Sequence, residues 1–194
     1  MARPTLSTLC VLLAVFAAQT LGGFLGIGPG TFALAAPLGH RPWTILTSVY
    51  AHGGLGHLLA NALAIAVLGP LVSRITTAVR FHAFFVGTGA LAGIAQVLAV
   101  APLGGAAVLG ASGAVFALLG YLLVGNRASE RLVSWLPVGR RGRLLLFATL
   151  ALLLTLATAA PGVALVAHFT GFLLGALAGR GRILHATPER GSRR

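Results

Sequence analysis

Acidic residues are almost absent from this chain. Its 194 residues contain 2 Asp and Glu residues together, and both are glutamates: Glu130 in an arginine-rich stretch and Glu189 near the C-terminal end. Because there is no aspartate, a two-aspartate protease is excluded and a Ser-His-Asp triad cannot be completed. The chain also lacks a His-Glu-x-x-His motif, which excludes that zinc site. Any serine chemistry must therefore use a dyad, and we expect neither a metal nor a cofactor.

Cysteine and charge are scarce as well. The single Cys10 cannot form an internal disulfide bond. Charged residues make up 8% of the chain and hydrophobic residues 57%, whereas about a quarter of a typical soluble domain is charged. This composition predicts a multi-pass integral membrane protein that lies in the lipid bilayer.

Most of the charge that remains is arginine, and the formal net charge is +12. A nucleic-acid-binding surface would cluster these residues among polar or aromatic neighbours, but here they separate apolar runs, so we expect no nucleic-acid partner. The positive-inside rule instead predicts both termini on the cytoplasmic side, in a bacterial-type plasma membrane, with Arg41 as the external exception. The arginines assigned to the inner loops and tail are Arg74, Arg80, Arg127, Arg131, Arg140, Arg141, Arg143, Arg180, Arg182, Arg190, Arg193 and Arg194.

Six apolar segments have the character of membrane helices. The first runs over 6–27 after Arg3; a secretory signal ending near Ala17 is the alternative, but the length favours an uncleaved helix. The other five cover residues 55–72, 81–101, 112–124, 144–160 and 163–178. The predicted fold is an all-α polytopic membrane protein with a six-helix domain over 1–180. An arginine-rich, disordered cytoplasmic tail is expected over 181–194.

The fourth predicted helix, 112–124, is short. It rises only about 20 Å, against a hydrocarbon core of about 30 Å, so it should begin inside the membrane. The first-turn N–H groups of a helix lack internal partners and are costly to leave in lipid, which indicates a hydrated cavity at this point. Ser112 stands there in the sequence Gly110-Ala-Ser-Gly113. Buried water beside a hydroxyl group suggests hydrolysis.

Two further motifs could supply partners for this serine. The stretch A-H-F-T-G-F-L-L-G places His168, Gly171 and Gly175 at i, i+3 and i+7, on one helix face. Upstream, A-H-G-G-L-G-H-L-L-A-N places His57 and Asn61 at i and i+4, again on one face. Gly-x-Ser-Gly alone is a weak signal, and a lone histidine near a helix end is most often structural. The inference therefore depends on the three motifs together.

A face of small residues runs along the fourth helix. Gly113, Ala117 and Gly120 recur at i, i+4 and i+7, a spacing that allows close approach of another membrane helix. We predict that this face packs against the glycine face of the sixth helix.

At these motifs the chain resembles the rhomboid family of intramembrane serine proteases, over about residues 42–179. The resemblance implies a six-helix rhomboid-like bundle in which Ser112 is the nucleophile, His168 its base, and His57 with Asn61 the oxyanion donors. It implies an endopeptidase that cleaves transmembrane protein substrates in or near their membrane segments. Residues expected to support the site are His52, Gly110, Gly113, Phe116, Gly171 and Gly175.

Three positions depart from the family pattern: Thr44 replaces an arginine, Ser73 a glutamate, and Phe116 a frequent tyrosine. These departures leave open a catalytically silent rhomboid-like protein that binds membrane helices. A small channel or transporter is a weaker alternative, because it predicts internal repeats that the sequence does not show.

Overall fold

The computed structural model describes residues 3–104, 107–125, 139–157 and 162–186. These residues form seven α-helices: α1 (Arg3–Phe24), α2 (Thr44–Tyr50), α3 (Leu55–Ser73), α4 (Ala78–Val100), α5 (Ser112–Val124), α6 (Arg140–Ala157) and α7 (Leu165–Arg180). The only β pairing among the described residues is an isolated antiparallel bridge between Leu34 and Val108. The fold is therefore all-α, as the sequence predicts.

Helix length separates these elements into two groups. Within the described ranges, three helices are long and apolar enough to cross a membrane: Arg3–Phe24, Leu55–Ser73, and α4 with its short 3₁₀ extension, Ala78–Leu103. Three shorter apolar helices follow, Ser112–Val124, Leu145–Ala157 and Leu165–Arg180. The six predicted apolar segments thus correspond to α1 and α3 to α7, and the additional helix α2 lies in the first long connection.

Helices α5 and α7 pack with their backbones in direct contact. A Cβ atom added to Gly171 would collide with the carbonyl oxygen of Gly113, and one added to Gly175 would collide with the carbonyl oxygen of Ala117. Without a side chain at either glycine, the two helix axes can approach closely. The predicted packing of the two small faces is confirmed.

The connection between α1 and α3 is fixed by side-chain hydrogen bonds to its own backbone. Arg41 Nη1 donates to the Gly30 carbonyl at 2.8 Å and Trp43 Nε1 to the Thr31 carbonyl at 3.1 Å. Thr44, which stands where the family usually has arginine, is buried, and its hydroxyl donates to the Arg41 carbonyl at 2.6 Å. This loop is therefore anchored without the arginine at position 44.

The connection after α3 is held by hydroxyl groups and by the chain that follows α7. Ser73 Oγ and Thr5 Oγ1 are 3.2 Å apart, so a hydrogen bond joins the end of α3 to the start of α1. The Ala186 N–H donates to the Ile75 carbonyl at 2.9 Å. Ser73 thus supplies one of the contacts that fix this turn in place of a glutamate.

The chain after α7 folds back onto the bundle. Leu184 is 2% exposed, and Arg80 Nη1 donates to the His185 carbonyl at 2.9 Å. Part of the segment expected to be a disordered tail from residue 181 is therefore packed, as far as residue 186. Residues 187–194 lie outside the described part of the chain, and their disorder stays a prediction.

Candidate active site

Ser112 is the first residue of α5 and faces a cavity of about 700 Å³ between α3, α4, α5 and α7. The chain just before it is held in place by main-chain hydrogen bonds. Val108 exchanges two of them with Leu34, at 2.8 and 2.9 Å, and the Gly110 N–H donates to the Ser48 carbonyl at 2.8 Å. The segment before α5 is therefore fixed by hydrogen bonds, and the first-turn N–H groups of α5 lie at the edge of the cavity.

The backbone at position 110 requires a glycine for two reasons. Its φ of 126° lies in a region that residues with a side chain rarely adopt. A Cβ atom here would also lie 2.7 Å from Nε2 of His57. The turn before Ser112 therefore touches the imidazole of His57 directly, which brings α3 and the start of α5 together.

His168 is buried on α7 and lines the same cavity as Ser112. Its ring stacks on that of Phe116, with centroids 4.3 Å apart and planes inclined by 15°. Phe116 lies one helical turn after Ser112, so the close packing of α5 on α7 brings the histidine to the serine helix. Phe116, which the resemblance places among the supporting residues, thus contacts the ring of His168.

His57 and Asn61 also line the cavity, from the first two turns of α3. The Asn61 side-chain N–H group donates to the His57 carbonyl at 3.0 Å. An amide nitrogen carries two N–H groups, so one remains for another acceptor. All four residues assigned to the reaction by resemblance thus border one space.

His52 lies behind the cavity, in the connection between α2 and α3. Its ring packs edge to face on His57 with centroids 5.0 Å apart, and its Nδ1–H donates to the Tyr50 carbonyl at 2.9 Å. Its backbone N–H donates to Gln19 Oε1 of α1 at 2.9 Å. Burial, with a smaller contribution from His57, lowers the pKa of His52 to about 4. His52 is therefore neutral near pH 7, and it contacts His57 without lining the cavity itself.

Gln96 is a cavity residue to which sequence reasoning gave no role. Its side-chain oxygen accepts the N–H of Ala167 at 3.1 Å, in the first turn of α7. Helix starts leave such N–H groups without internal partners, so Gln96 caps α7 from α4, next to His168. The available signal was a single amide in an otherwise apolar helix, because polar groups at membrane depth are costly unless they are used.

The polar side chains that line the cavity are uncharged or can be neutral: Ser112, His168, His57, Asn61 and Gln96. Across the described ranges there is no group of three or more His, Cys, Asp or Glu side chains that could hold a metal ion. The site offers a hydroxyl group, imidazoles and amide donors in a mostly apolar setting. Such groups can move a proton and donate hydrogen bonds to a developing oxyanion.

Apolar helices of membrane-spanning length define a helical integral membrane protein, and a serine and a histidine border one of its cavities. The family model of the rhomboid domain matches residues 39–184, and the chain belongs to the rhomboid family. This match extends a few residues beyond the 42–179 expected from the motifs.

Curated relatives come from a plant and a bacterium. The chain is 31% identical to RHOMBOID-like protein 5 of Arabidopsis thaliana over 134 residues, which are 69% of this chain and 41% of that protein. It is 32% identical to RHOMBOID-like protein 7 of the same plant, over 74% of this chain and 44% of the relative. It is also 32% identical to YdcA of Bacillus subtilis, named as a candidate rhomboid protease, over 48% of this chain and 51% of YdcA. The chain thus spans about two-fifths to half of the length of these relatives.

Proposed function

We propose that this protein is an intramembrane serine endopeptidase that hydrolyses peptide bonds in or near the transmembrane segments of other membrane proteins. The observation that carries the proposal is that Ser112, His168, His57 and Asn61 border one cavity, although they come from three helices. Membership of the rhomboid family supports the same reaction class.

In the proposed reaction His168 removes the proton of the Ser112 hydroxyl as the oxygen attacks the scissile carbonyl carbon. The oxyanion that forms is held by the Ser112 N–H, His57 and Asn61. The imidazolium then gives its proton to the leaving amine as the peptide C–N bond breaks. Water, activated by the same imidazole, hydrolyses the acyl-enzyme and frees the serine.

A dyad needs its base oriented by something other than aspartate. Stacking on Phe116 restrains the ring plane of His168, and Gln96 fixes the helix turn that carries it. These two contacts support the view that packing replaces the missing carboxylate. Phe116 has no hydroxyl group, so it acts through its ring face alone.

We further propose six membrane spans for α1 and α3 to α7, with both termini cytoplasmic. The shorter helices α5 and α7 have their starts at the cavity, where the protein itself surrounds them. Described arginines support the orientation: Arg3, Arg74, Arg80 and Arg182 lie at the end away from Ser112, and Arg41 lies in the connection before α3.

The test is labelling of the purified, detergent-solubilised full chain with a fluorophosphonate, which reacts with activated serines. Wild type should label, and Ser112→Ala and His168→Ala should not, while circular dichroism shows all three folded. An active rhomboid protease serves as the positive control. Substantial labelling of either variant would remove the dyad.

The silent helix-binding alternative makes the opposite prediction. A folded wild-type protein that fails to label, beside a positive control that does, would favour it. The relatives named only rhomboid-like keep this alternative worth testing, since their names state no protease activity.

A further inference from the structure

Gln19 is the only amide side chain of α1, and it is half-buried near the end of that helix. Of the described residues that line the cavity at Ser112, none belongs to α1. Amide groups are costly at membrane depth unless they are used. The contacts of Gln19 therefore indicate how α1 is connected to the candidate active site.

The Gln19 amide makes two hydrogen bonds within the described structure, both to the main chain of His52. The His52 N–H donates to Gln19 Oε1 at 2.9 Å, and Gln19 Nε2 donates to the His52 carbonyl at 3.4 Å. Two glycines, Gly53 and Gly54, separate His52 from the first residue of α3, and glycine restrains the backbone less than any other residue. Gln19 thus fixes the main chain just before a link that its own residues restrain little.

The ring of His52 has a fixed orientation. Its Nδ1–H donates to the Tyr50 carbonyl at 2.9 Å, so in the neutral ring Nε2 is an acceptor. Nε2 is buried and has no hydrogen-bond partner in the part of the chain that the structure describes. No second hydrogen bond holds the ring there, so its other restraint is packing on the ring of His57, with centroids 5.0 Å apart.

His57 is the candidate oxyanion donor that these contacts reach. Its ring contacts His52 and also lies against the main chain of Gly110, where an added Cβ atom would be 2.7 Å from His57 Nε2. Gly110 is two positions before Ser112. Direct contacts therefore connect Gln19 of α1 with the start of α5 through His52 and His57.

We propose that Gln19 is a positioning residue for the oxyanion site, and that by fixing His52 it sets the orientation of the His57 ring beside Ser112. The inference rests on the proposed function, in which His57 donates a hydrogen bond to the oxyanion. Gln19 does not line the cavity, so its effect has to pass through His52 and His57. An oxyanion donor contributes only when its N–H points at the developing charge, and a misplacement of about 1 Å in an active site can cost roughly a hundredfold in rate.

The experiment measures the rate constant for labelling of Ser112 in the purified full chain by a fluorophosphonate, whose phosphoryl oxygen takes the place of the oxyanion. Gln19→Met keeps the length of the side chain and removes the amide. Thr20→Val is the matched control on α1, because the Thr20 hydroxyl group donates to the Phe16 carbonyl of its own helix. Gln19→Met should label about tenfold more slowly, and Thr20→Val should label like wild type. Thermal unfolding checks that all variants are folded.

A double-mutant cycle with His57→Ala separates positioning from a general loss of structure. Because Gln19 acts through His57 in the proposal, Gln19→Met should cause no further loss of rate in the His57→Ala background. The same loss in both backgrounds would overturn the proposal. A wild-type labelling rate in Gln19→Met would overturn it as well.

A second readout does not depend on protease activity. The chain has 6 histidines, and in the NMR spectrum of protein with isotope-labelled histidine the His57 signal is assigned by its loss in His57→Ala. This signal should shift in Gln19→Met and stay in place in Thr20→Val; an unchanged signal in Gln19→Met would contradict the inference. If wild type fails to label but the His57 signal shifts, the proposed protease function is wrong, while the coupling of Gln19 to His57 is supported.

Discussion

At the scale of single residues, the position of the His168 side chain depends on contacts that α7 makes with two other helices. Phe116 of α5 stacks on its ring, and Gln96 of α4 accepts the N–H of Ala167 beside it. The sequence indicated the first contact only through the resemblance to the rhomboid family, which places Phe116 among the residues that support the site. It could not indicate the second, because Gln96 and Ala167 are 71 positions apart and no periodicity links them.

Replacing Gln96 with methionine keeps the length of the side chain but removes the acceptor for the Ala167 N–H. An unpaired buried donor costs about 1–3 kcal/mol, so we expect a lower unfolding midpoint and Ser112 labelling slower by about tenfold as His168 shifts. Thr88→Val is the control on the same helix, because the Thr88 hydroxyl group bonds only to carbonyls of its own helix, chiefly that of Phe84. If both variants label at the wild-type rate, Gln96 does not position the histidine.

His52 should make stability depend on pH. Its pKa is about 4 in the folded protein and about 6.5 in an unfolded chain, so unfolding takes up a proton between these values. The stability it contributes is complete above pH 6.5 and is lost as pH falls towards 4. His52→Gln keeps an N–H donor for the Tyr50 carbonyl but does not titrate in this range.

The measurement is the unfolding free energy of both proteins at several pH values. Wild type should lose more stability than His52→Gln between pH 6.5 and 4. Subtracting the variant's curve removes the contributions of histidines that do not interact with residue 52. The His57 ring lies 5.0 Å away and interacts with His52, so the difference between the two curves reports this pair of histidines. Parallel curves would show that His52 does not change protonation on unfolding.

At the scale of elements, the pairing of α5 with α7 sets the distance between serine and histidine. Gly171→Ala would place a methyl group against the Gly113 carbonyl oxygen, and overpacking of this kind typically costs about 1–3 kcal/mol. We expect lower thermal stability and lower Ser112 labelling together. Gly87→Ala is the matched control: its added Cβ meets nothing within 4 Å and should stabilise α4 by up to about 1 kcal/mol.

Either of two results would contradict the prediction for Gly171→Ala. Wild-type stability in Gly171→Ala would mean that the helices can separate without cost. A loss of labelling with unchanged stability would mean that the glycine matters to the site and not to helix packing.

Small-residue spacing was sufficient to predict this helix pair, because Gly113 and Ala117 lie four residues apart on one helix, as Gly171 and Gly175 do on the other. The folded segment after α7 was not predicted. Leu184 and the exposed Ile183 form a short apolar pair in an arginine-rich stretch, and one buried side chain produces no periodic pattern. The sequence therefore indicated contacts between regular helices better than the contacts of the segments that join or follow them.

At the scale of the whole molecule, the candidate active site lies towards one end of the bundle, and the membrane has to separate that end from the other. Hydrogen bonds place Thr5 beside Ser73 and Arg80 beside His185 at one end. The loop that contains Arg41 precedes α2 and α3, and the first turns of α3 line the candidate active site at the other end. The orientation proposed from arginine distribution can thus be tested with one reporter at each end.

Single cysteines serve as the reporters in a Cys10→Ser background, since Cys10 is the only native cysteine. Gly39→Cys lies in the loop of Arg41, and Ile183→Cys is an exposed position, 57% accessible, at the opposite end. With six spans and cytoplasmic termini, a membrane-impermeant maleimide should label Gly39→Cys in intact bacterial cells and Ile183→Cys only after permeabilisation. The reverse pattern would invert the proposed topology. Labelling of both in intact cells would place both positions on the outside, which contradicts the odd number of crossings that α3 to α7 make between them.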